Sequence, residues 1–357
     1  MVRVALAIVG YGRAGLAAAQ AAAVSGARDL LVVERRSVAT VTDYPVRDRV
    51  TAVGLLAGVS GRPHTLVLSS STGVERVQAD RVVIATGAHE APREALMIPG
   101  TRPAGVMTPA LAFDLLDAGL LPGSRVVLFG AGRRLETLSD CLIQSGARVV
   151  AWVDPWRETA DGDRLPGHVT EIAGWPRVER IRLNTLDEET WVDADALVCS
   201  TALLPAVHLA KGSGMQIDPG TRGPVVDQWG RTSIPGVYAA GTCIAPLLDH
   251  DLSAFLGTTV GMAAAGQAGN TGRSVQVRAE GVSWVAPQRV DPDSEEPTWI
   301  CVGGAAPPAF FLGNEPVEPL ELDRVAGGWV ARLSLSHARD NQVSALHVTA
   351  AEVPDAR

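Results

Sequence analysis

A β-type run from Val4 to Val9 passes directly into a turn with three glycines, Gly10, Gly12 and Gly15, and the turn passes into an alanine-rich helical stretch. Leu30 to Val33 then reads as a second strand, closed by Glu34. No other feature constrains the fold as tightly, because strand, glycine turn, helix and strand in that order is the layout of a dinucleotide-binding βαβ unit. Each glycine has its own task. Gly10 permits the tight turn, Gly12 lets backbone approach a pyrophosphate, and Gly15 lets the helix pack closely on the strand. The helix N-terminus offers free N–H groups and the positive end of its dipole, and Glu34 is placed to accept hydrogen bonds from a ribose. Arg13 and the glycines around it break up the apolar stretch of about 20 residues that a spanning helix needs. The stretch also lacks the basic start and small-residue cleavage site of a secretory signal.

The pattern occurs twice. Residues 125–155, RVVLFGAGRRLETLSDCLIQSGARVVAWVDP, repeat strand, glycine turn, helix, strand and acid, with Gly130, Gly132 and Asp154 in the corresponding places. Between the two units, the apolar-rich runs 49–56 and 65–68 and the stretch 74–88 read as a small antiparallel meander feeding a buried strand that ends at Thr86 and Gly87. A proline-dotted hinge, 98–108, precedes a helical segment from Pro109 to about Ala118, and a later alanine-rich helix is expected near Gly257 to Ala268. From about Arg273 the chain changes character, with short Val-, Trp- and Pro-rich runs that suggest a β-rich appendage.

Composition excludes several function classes. With 357 residues, 46% hydrophobic and 20% charged, the chain has enough apolar content for a sizeable core in two or three domains. A net charge of −8 without basic runs argues against a nucleic-acid or anionic-membrane binder. Cys141, Cys199, Cys243 and Cys301 lie far apart with no C-x-x-C pair, which suggests neither a zinc site nor a redox disulfide and fits a reduced, cytoplasmic chain.

Four landmarks recur in order between residues 10 and 242: GYGRAG at 10–15, ATGA at 85–88, GAGRRL at 130–135 and TSIPGVYAAGT at 232–242. Together they resemble the two-dinucleotide-binding flavoproteins of the pyridine nucleotide–disulfide oxidoreductase superfamily, in the branch without a redox disulfide. ATGAHE is similar to the large subunits of opine oxidases, sarcosine oxidases and hydrogen cyanide synthases. IPGTRPAGVMT, GPVVDQWGRTSIPGV and WVAPQRV look closer to the reductase-like flavoproteins that accompany FAD-dependent glycerol-3-phosphate dehydrogenases. The resemblance implies an α/β fold of two Rossmann-like domains, the second inserted in the first, with a small C-terminal β-rich domain. The expected limits are 1–110 and 231–272 for the FAD-binding domain, 111–230 for the NAD(P)-binding-like domain and 273–357 for the appendage.

Carried over by position, the resemblance assigns Gly10, Gly12, Arg13, Ala14 and Gly15 to the FAD pyrophosphate, and Glu34 with Arg35 to the adenosine ribose. Val50 would start the strand that meets adenine through its backbone, and Thr86, Gly87, Gly241 and Thr242 would lie against FAD from the other side. Gly130, Gly132 and Asp154 would form a nicotinamide nucleotide site or, equally, a βαβ unit kept as scaffold. His89 with Glu90 reads as an acid/base pair or a hinge support, and His250 with Asp251 as flavin neighbours or surface groups. Three departures from the family pattern stand out. Only about fifty residues separate Glu34 from ATGA, too few for the usual flavin-wrapping loop and helix; Thr242 replaces the usual Asp or Asn; and Leu135 occupies a small-residue position beside Arg133 and Arg134. The expected function is that of one component of an FAD-dependent oxidoreductase, which works on an amine, amino acid or hydroxy compound with a second flavoprotein or dehydrogenase subunit. The alternative is a non-catalytic nucleotide-binding scaffold.

Overall fold

A computed structural model describes residues 2–350 apart from 39–41, 60, 158, 161, 202, 246–249, 268–273, 295, 305, 313–314, 326–327 and 336–344. The chain begins with β1 (Val2–Val9), α1 (Arg13–Val24) and β2 (Leu30–Val33), the βαβ unit read from the sequence. Then come β3 (Val46–Arg47), β4 (Thr51–Leu56), β5 (His64–Ser70) and β6 (Gly73–Ile84). The sheet order is β3-β2-β1-β6-β5-β4, with the later strand Val237–Ala239 pairing parallel to the end of β6. β6 therefore does two jobs: its first half closes an antiparallel meander with β5, while its second half sits in the parallel sheet between β1 and the returning strand. The parallel strands are apolar on both faces, as a sheet covered on both sides requires: Ala7, Ile8, Val32, Val82 and Val83 are fully buried.

One face of this sheet is covered by α1 and by the helix His250–Ala265. The two helices approach at backbone distance. A Cβ at Gly257 would collide with the Ala14 carbonyl, and one at Gly261 with that of Ala18, while Ala18, Ala19 and Ala22 of α1 are fully buried. The later helix therefore begins about two turns before the position expected from sequence. Gly257, the expected start, lies mid-helix like Gly261, and at both positions α1 excludes a side chain.

Contacts divide the chain into two compact units, 1–88 with 205–357, and 89–204. The second unit holds a seven-stranded sheet in which the parallel strands Arg148–Asp154, Arg125–Gly130 and Ala196–Ser200 lie side by side; the strand Arg164–Ala173 leads into an antiparallel hairpin. Its helix Arg133–Gln144 seats Leu135, Leu138 and Leu142, all fully buried, against Val126, Leu128 and Val198. Leu135, the large residue at a small-residue position, thus serves as a core residue. The described residues of 273–357 form two β-sheets of five and four strands, and the segment belongs to the first unit. It is stitched there by Gln288, whose backbone N–H donates to the Val226 carbonyl at 3.1 Å and whose Oε1 accepts from the Val226 N–H at 3.0 Å.

Candidate functional site

The first glycine turn shows why each glycine is needed. Gly10 has φ +103°, and a Cβ there would strike the Ala85 carbonyl oxygen. A Cβ on Gly15 would meet the Gly10 carbonyl, so α1 lies on the turn at a distance that only glycine allows. Gly12 differs, because a Cβ there would find no atom within 4 Å. The chain leaves open space over the N-terminus of α1, where Gly12 is the N-cap and no side chain caps the first N–H groups. Free N–H donors facing open space at a helix N-terminus suit a pyrophosphate, and this cradle fits the FAD expected from sequence. Arg13 is exposed on the first turn and Ala14 is buried beneath it.

Glu34 ends β2 and is held from two sides. Its Oε2 accepts the Tyr11 N–H at 2.7 Å and its Oε1 the Arg36 N–H at 2.8 Å. The carboxylate is thereby fixed at the mouth of the glycine turn with lone pairs remaining for ribose hydroxyls. Sequence reasoning missed both donors, since backbone N–H groups leave no mark on residue identity. Tyr11 also places its hydroxyl 3.2 Å from that of Tyr44, in an edge-to-face ring pair with centroids 6.5 Å apart. Burial, followed by the hydrogen bond with Tyr11, raises the Tyr44 pKa well above the ordinary phenol value. Tyr44 lies in the short segment between β2 and β3, which contains no helix among its described residues. Arg35 is exposed. The Val50 N–H donates to the Glu34 carbonyl at 3.0 Å, just before β4.

The exit and return segments close the far side. The Thr86 hydroxyl donates to the Ala206 carbonyl at 2.8 Å and the Gly87 carbonyl accepts the Ala206 N–H at 2.9 Å, so Thr86 and Gly87 tie the outgoing chain to the incoming one. A Cβ on Gly87 would stand 3.7 Å from Thr242 Oγ1, and one on Gly241 only 2.6 Å from the Ala14 Cβ. Gly10, Ala14, Gly15, Gly87, Gly241 and Thr242 therefore share one neighbourhood. Cys243 lies below it with Sγ 3.1 Å from the Ala240 carbonyl, and complete burial pushes its thiol pKa up to about 11. His250 and Asp251 open the helix His250–Ala265, and their side chains lie outside the described residues.

The second glycine turn, in the 89–204 unit, is arranged differently. The Gly130 carbonyl accepts the Trp152 indole N–H at 2.8 Å. Asp154 is 4% exposed; its Oδ1 accepts the Trp156 N–H at 3.0 Å and its Oδ2 lies 3.5 Å from Arg157 Nε. Gly132, at φ +104°, caps the helix Arg133–Gln144. Arg134 is drawn sideways, with Nε 3.0 Å from Glu90 Oε1 and the guanidinium 5.6 Å from the centre of the Phe113 ring, while Arg133 is exposed. The other Glu90 oxygen accepts the Ala110 N–H at 3.1 Å, at the N-terminus of the helix Pro109–Asp117. Of its two readings from sequence, Glu90 fits the support; its neighbour His89 is exposed.

Among the described residues, no cluster of His, Cys, Asp and Glu could hold a metal ion, and no helix is long and apolar enough to cross a membrane. The family model for pyridine nucleotide-disulphide oxidoreductases matches residues 164–272. An opine oxidase component of Rhizobium meliloti is 28% identical over 243 residues, 57% of this chain and 43% of that protein. The ferredoxin–NAD(+) reductase component of the Pseudomonas putida benzene 1,2-dioxygenase system is 30% identical over 186 residues, 46% of this chain and 43% of that one. The chain thus spans less than half the length of these two relatives. Thioredoxin reductase of T. acidophilum superposes with a TM-score of 0.56 at 20% identity, over 74% of this chain and 99% of that one. L-proline dehydrogenase of P. horikoshii gives a TM-score of 0.54 at 20% identity, over 73% and 55% of the respective chains. The fold is a mixed α/β one with parallel Rossmann-like sheets, and none of the four cysteines forms a disulfide. Over part of its length the chain is similar to pyridine nucleotide-disulphide oxidoreductases, and it shares its fold with thioredoxin reductase.

Proposed function

We propose that this chain is the FAD-binding subunit of a heteromeric oxidoreductase that oxidises a small amine, amino acid or hydroxy compound together with a second flavoprotein or dehydrogenase subunit. The observation that carries the reading is the pairing of an open cradle at Gly12 with the Glu34 carboxylate held at the mouth of the same turn. The N-terminus of α1 would receive the pyrophosphate, Glu34 the adenosine ribose, and Gly87, Gly241 and Thr242 the other side of the FAD. When bound, the isoalloxazine of FAD accepts a hydride equivalent and passes electrons to an acceptor. This chain's own residues bind and orient, and no side-chain nucleophile is required. The names of the relatives, one component of an opine oxidase and one of a dioxygenase system, favour a multi-subunit setting. A cytoplasmic location and domain limits near 110, 230 and 272 belong to the same proposal.

A second reading, a nucleotide-binding scaffold without catalysis, is favoured by the second turn. There Asp154 is engaged by Arg157 and the Trp156 N–H, and the Gly130 carbonyl by Trp152, so neither presents a free group to a nicotinamide nucleotide. The absorbance spectrum of the purified protein separates the two. Oxidised-flavin bands that disappear in Gly12→Asp support the oxidoreductase reading; a folded protein without such bands, alone and with added FAD, supports the scaffold.

A further inference from the structure

Within the first unit, the return segment, the helix His250–Ala265 and the C-terminal sheets line a partly open cavity of about 80 Å³. Its walls are mainly apolar and aromatic: Trp229, Ile244, Phe255, Leu256, Val260 and Trp299, with Phe255 and Trp299 in edge-to-face contact at 5.6 Å. It holds one polar group with no partner. Thr298 lines the cavity and is 4% exposed, and its hydroxyl makes no hydrogen bond among the described residues. Among the other polar side chains on its walls, the buried Ser253 is engaged, as are the half-buried Asp227, Gln228 and Thr259. Asp227 accepts the N–H groups of Trp229 and Arg231 and pairs with the Arg231 guanidinium at 3.6 Å, Gln228 Oε1 accepts the Asp291 N–H at 2.7 Å, and the Thr259 hydroxyl donates to the Phe255 carbonyl at 3.2 Å.

We propose that this cavity binds a compact, uncharged, largely apolar organic molecule carrying one hydroxyl or carbonyl oxygen, which pairs with the Thr298 hydroxyl. A buried hydroxyl without a partner is destabilising, and valine has nearly the same shape without that cost, so a threonine here is explained by a partner that arrives from outside the chain. The occupant is uncharged because Asp227 is already matched by Arg231 and the one other acid on the lining, Glu296, is exposed to water. The covered part of the occupant is roughly one ring, since such a space holds only a few water-sized volumes. Gly241 and Thr242 form part of the same wall, which places the occupant beside the segment proposed to meet FAD. The inference itself rests on the cavity and Thr298, and does not depend on that FAD reading.

Phenol and toluene, which differ by one hydroxyl in place of a methyl, are suitable probes. Titrating each into the purified chain and following the tryptophan indole N–H resonances, with Trp229→Phe and Trp299→Phe as assignments, should give saturable shifts confined to Trp229 and Trp299. Thr298→Val should weaken phenol on the order of tenfold while leaving toluene equal or tighter. Shifts that do not saturate or that spread over all the indoles would overturn the proposal, as would an equal effect of Thr298→Val on both probes. A chain that binds phenol in this way but shows no flavin bands would sink the FAD reading and leave this one standing.

Discussion

The Tyr11 N–H donates to Glu34 Oε2 at 2.7 Å, so the second residue of the glycine turn and the acid 23 positions later form a single clamp. Together with the Arg36 N–H on Oε1, this bond holds the acid in place before any ligand arrives. Glu34→Gln puts an N–H₂ donor against one of the two backbone donors, the half-buried Tyr11 N–H or the exposed Arg36 N–H, and so removes one of the two bonds that hold the side chain. The expected outcome is weaker FAD binding with a modest fall in melting temperature, read by flavin absorbance on titration and by calorimetry. An unchanged affinity would detach Glu34 from the ribose.

Gly12 and Gly15 should separate binding from folding. Gly12→Asp places a carboxylate in open space at the helix N-terminus, so the protein should keep its thermal stability and lose its nucleotide. Gly15→Ala drives a methyl into the Gly10 carbonyl and should cost about 1–3 kcal/mol of stability. Equal melting losses for the two variants would refute this division of labour.

The contact between α1 and the helix His250–Ala265 makes Gly257 and Gly261 sensitive positions. Either one changed to alanine must push α1 away, at a cost of about 1–3 kcal/mol, and the double variant should unfold near ambient temperature. Gly146→Ala, where a Cβ meets nothing within 4 Å but φ is +91°, serves as the comparison for backbone strain alone.

His64 is 3% exposed, its Nδ1 accepts the Gly58 N–H at 3.1 Å, and burial lowers its pKa below the ordinary 6.5. The folded state favours neutral imidazole, whereas the unfolded chain takes up the proton near pH 6.5. Its contribution to stability is therefore complete above that pH and declines as pH falls through it toward the lower folded value. Melting temperatures from pH 8 to 5 should show the decline, and His64→Asn, which can keep the acceptor without titrating, should flatten it.

Thiol reactivity follows burial. Cys199 and Cys243 have pKa values pushed up to about 12 and about 11 by burial, and Cys301 is 3% exposed, whereas Cys141 is only partly covered. A chromogenic disulfide at pH 8 should titrate one thiol in the folded protein and four in guanidinium. Prompt reaction of more than one native thiol would contradict the packing around Cys243.

Local sequence fixes whatever depends on neighbours along the chain. The β1–α1–β2 unit, its repeat at 125–154 and the helix Pro109–Asp117 follow from apolar periodicity, glycine spacing and proline at the first helical position, and each lies where its residues place it. Tertiary structure decided which of these features are free to meet a ligand. Glu34 and Asp154 occupy matching places in the two repeats, yet one carboxylate faces the mouth of its turn and the other is buried against Arg157. Nothing in the strand preceding either acid separates the two. The same holds for Gly257 and Gly261: the sequence places a helix from Gly257 onward, and the fold carries it back to His250 and sets both glycines where α1 excludes any Cβ. The Thr298 cavity is invisible in the sequence for the same reason, since its walls come from segments as distant as Trp229 and Trp299. Periodicity and propensity act over a few residues, whereas burial and the partnering of a carboxylate or hydroxyl are set by chain segments that only the completed fold brings together.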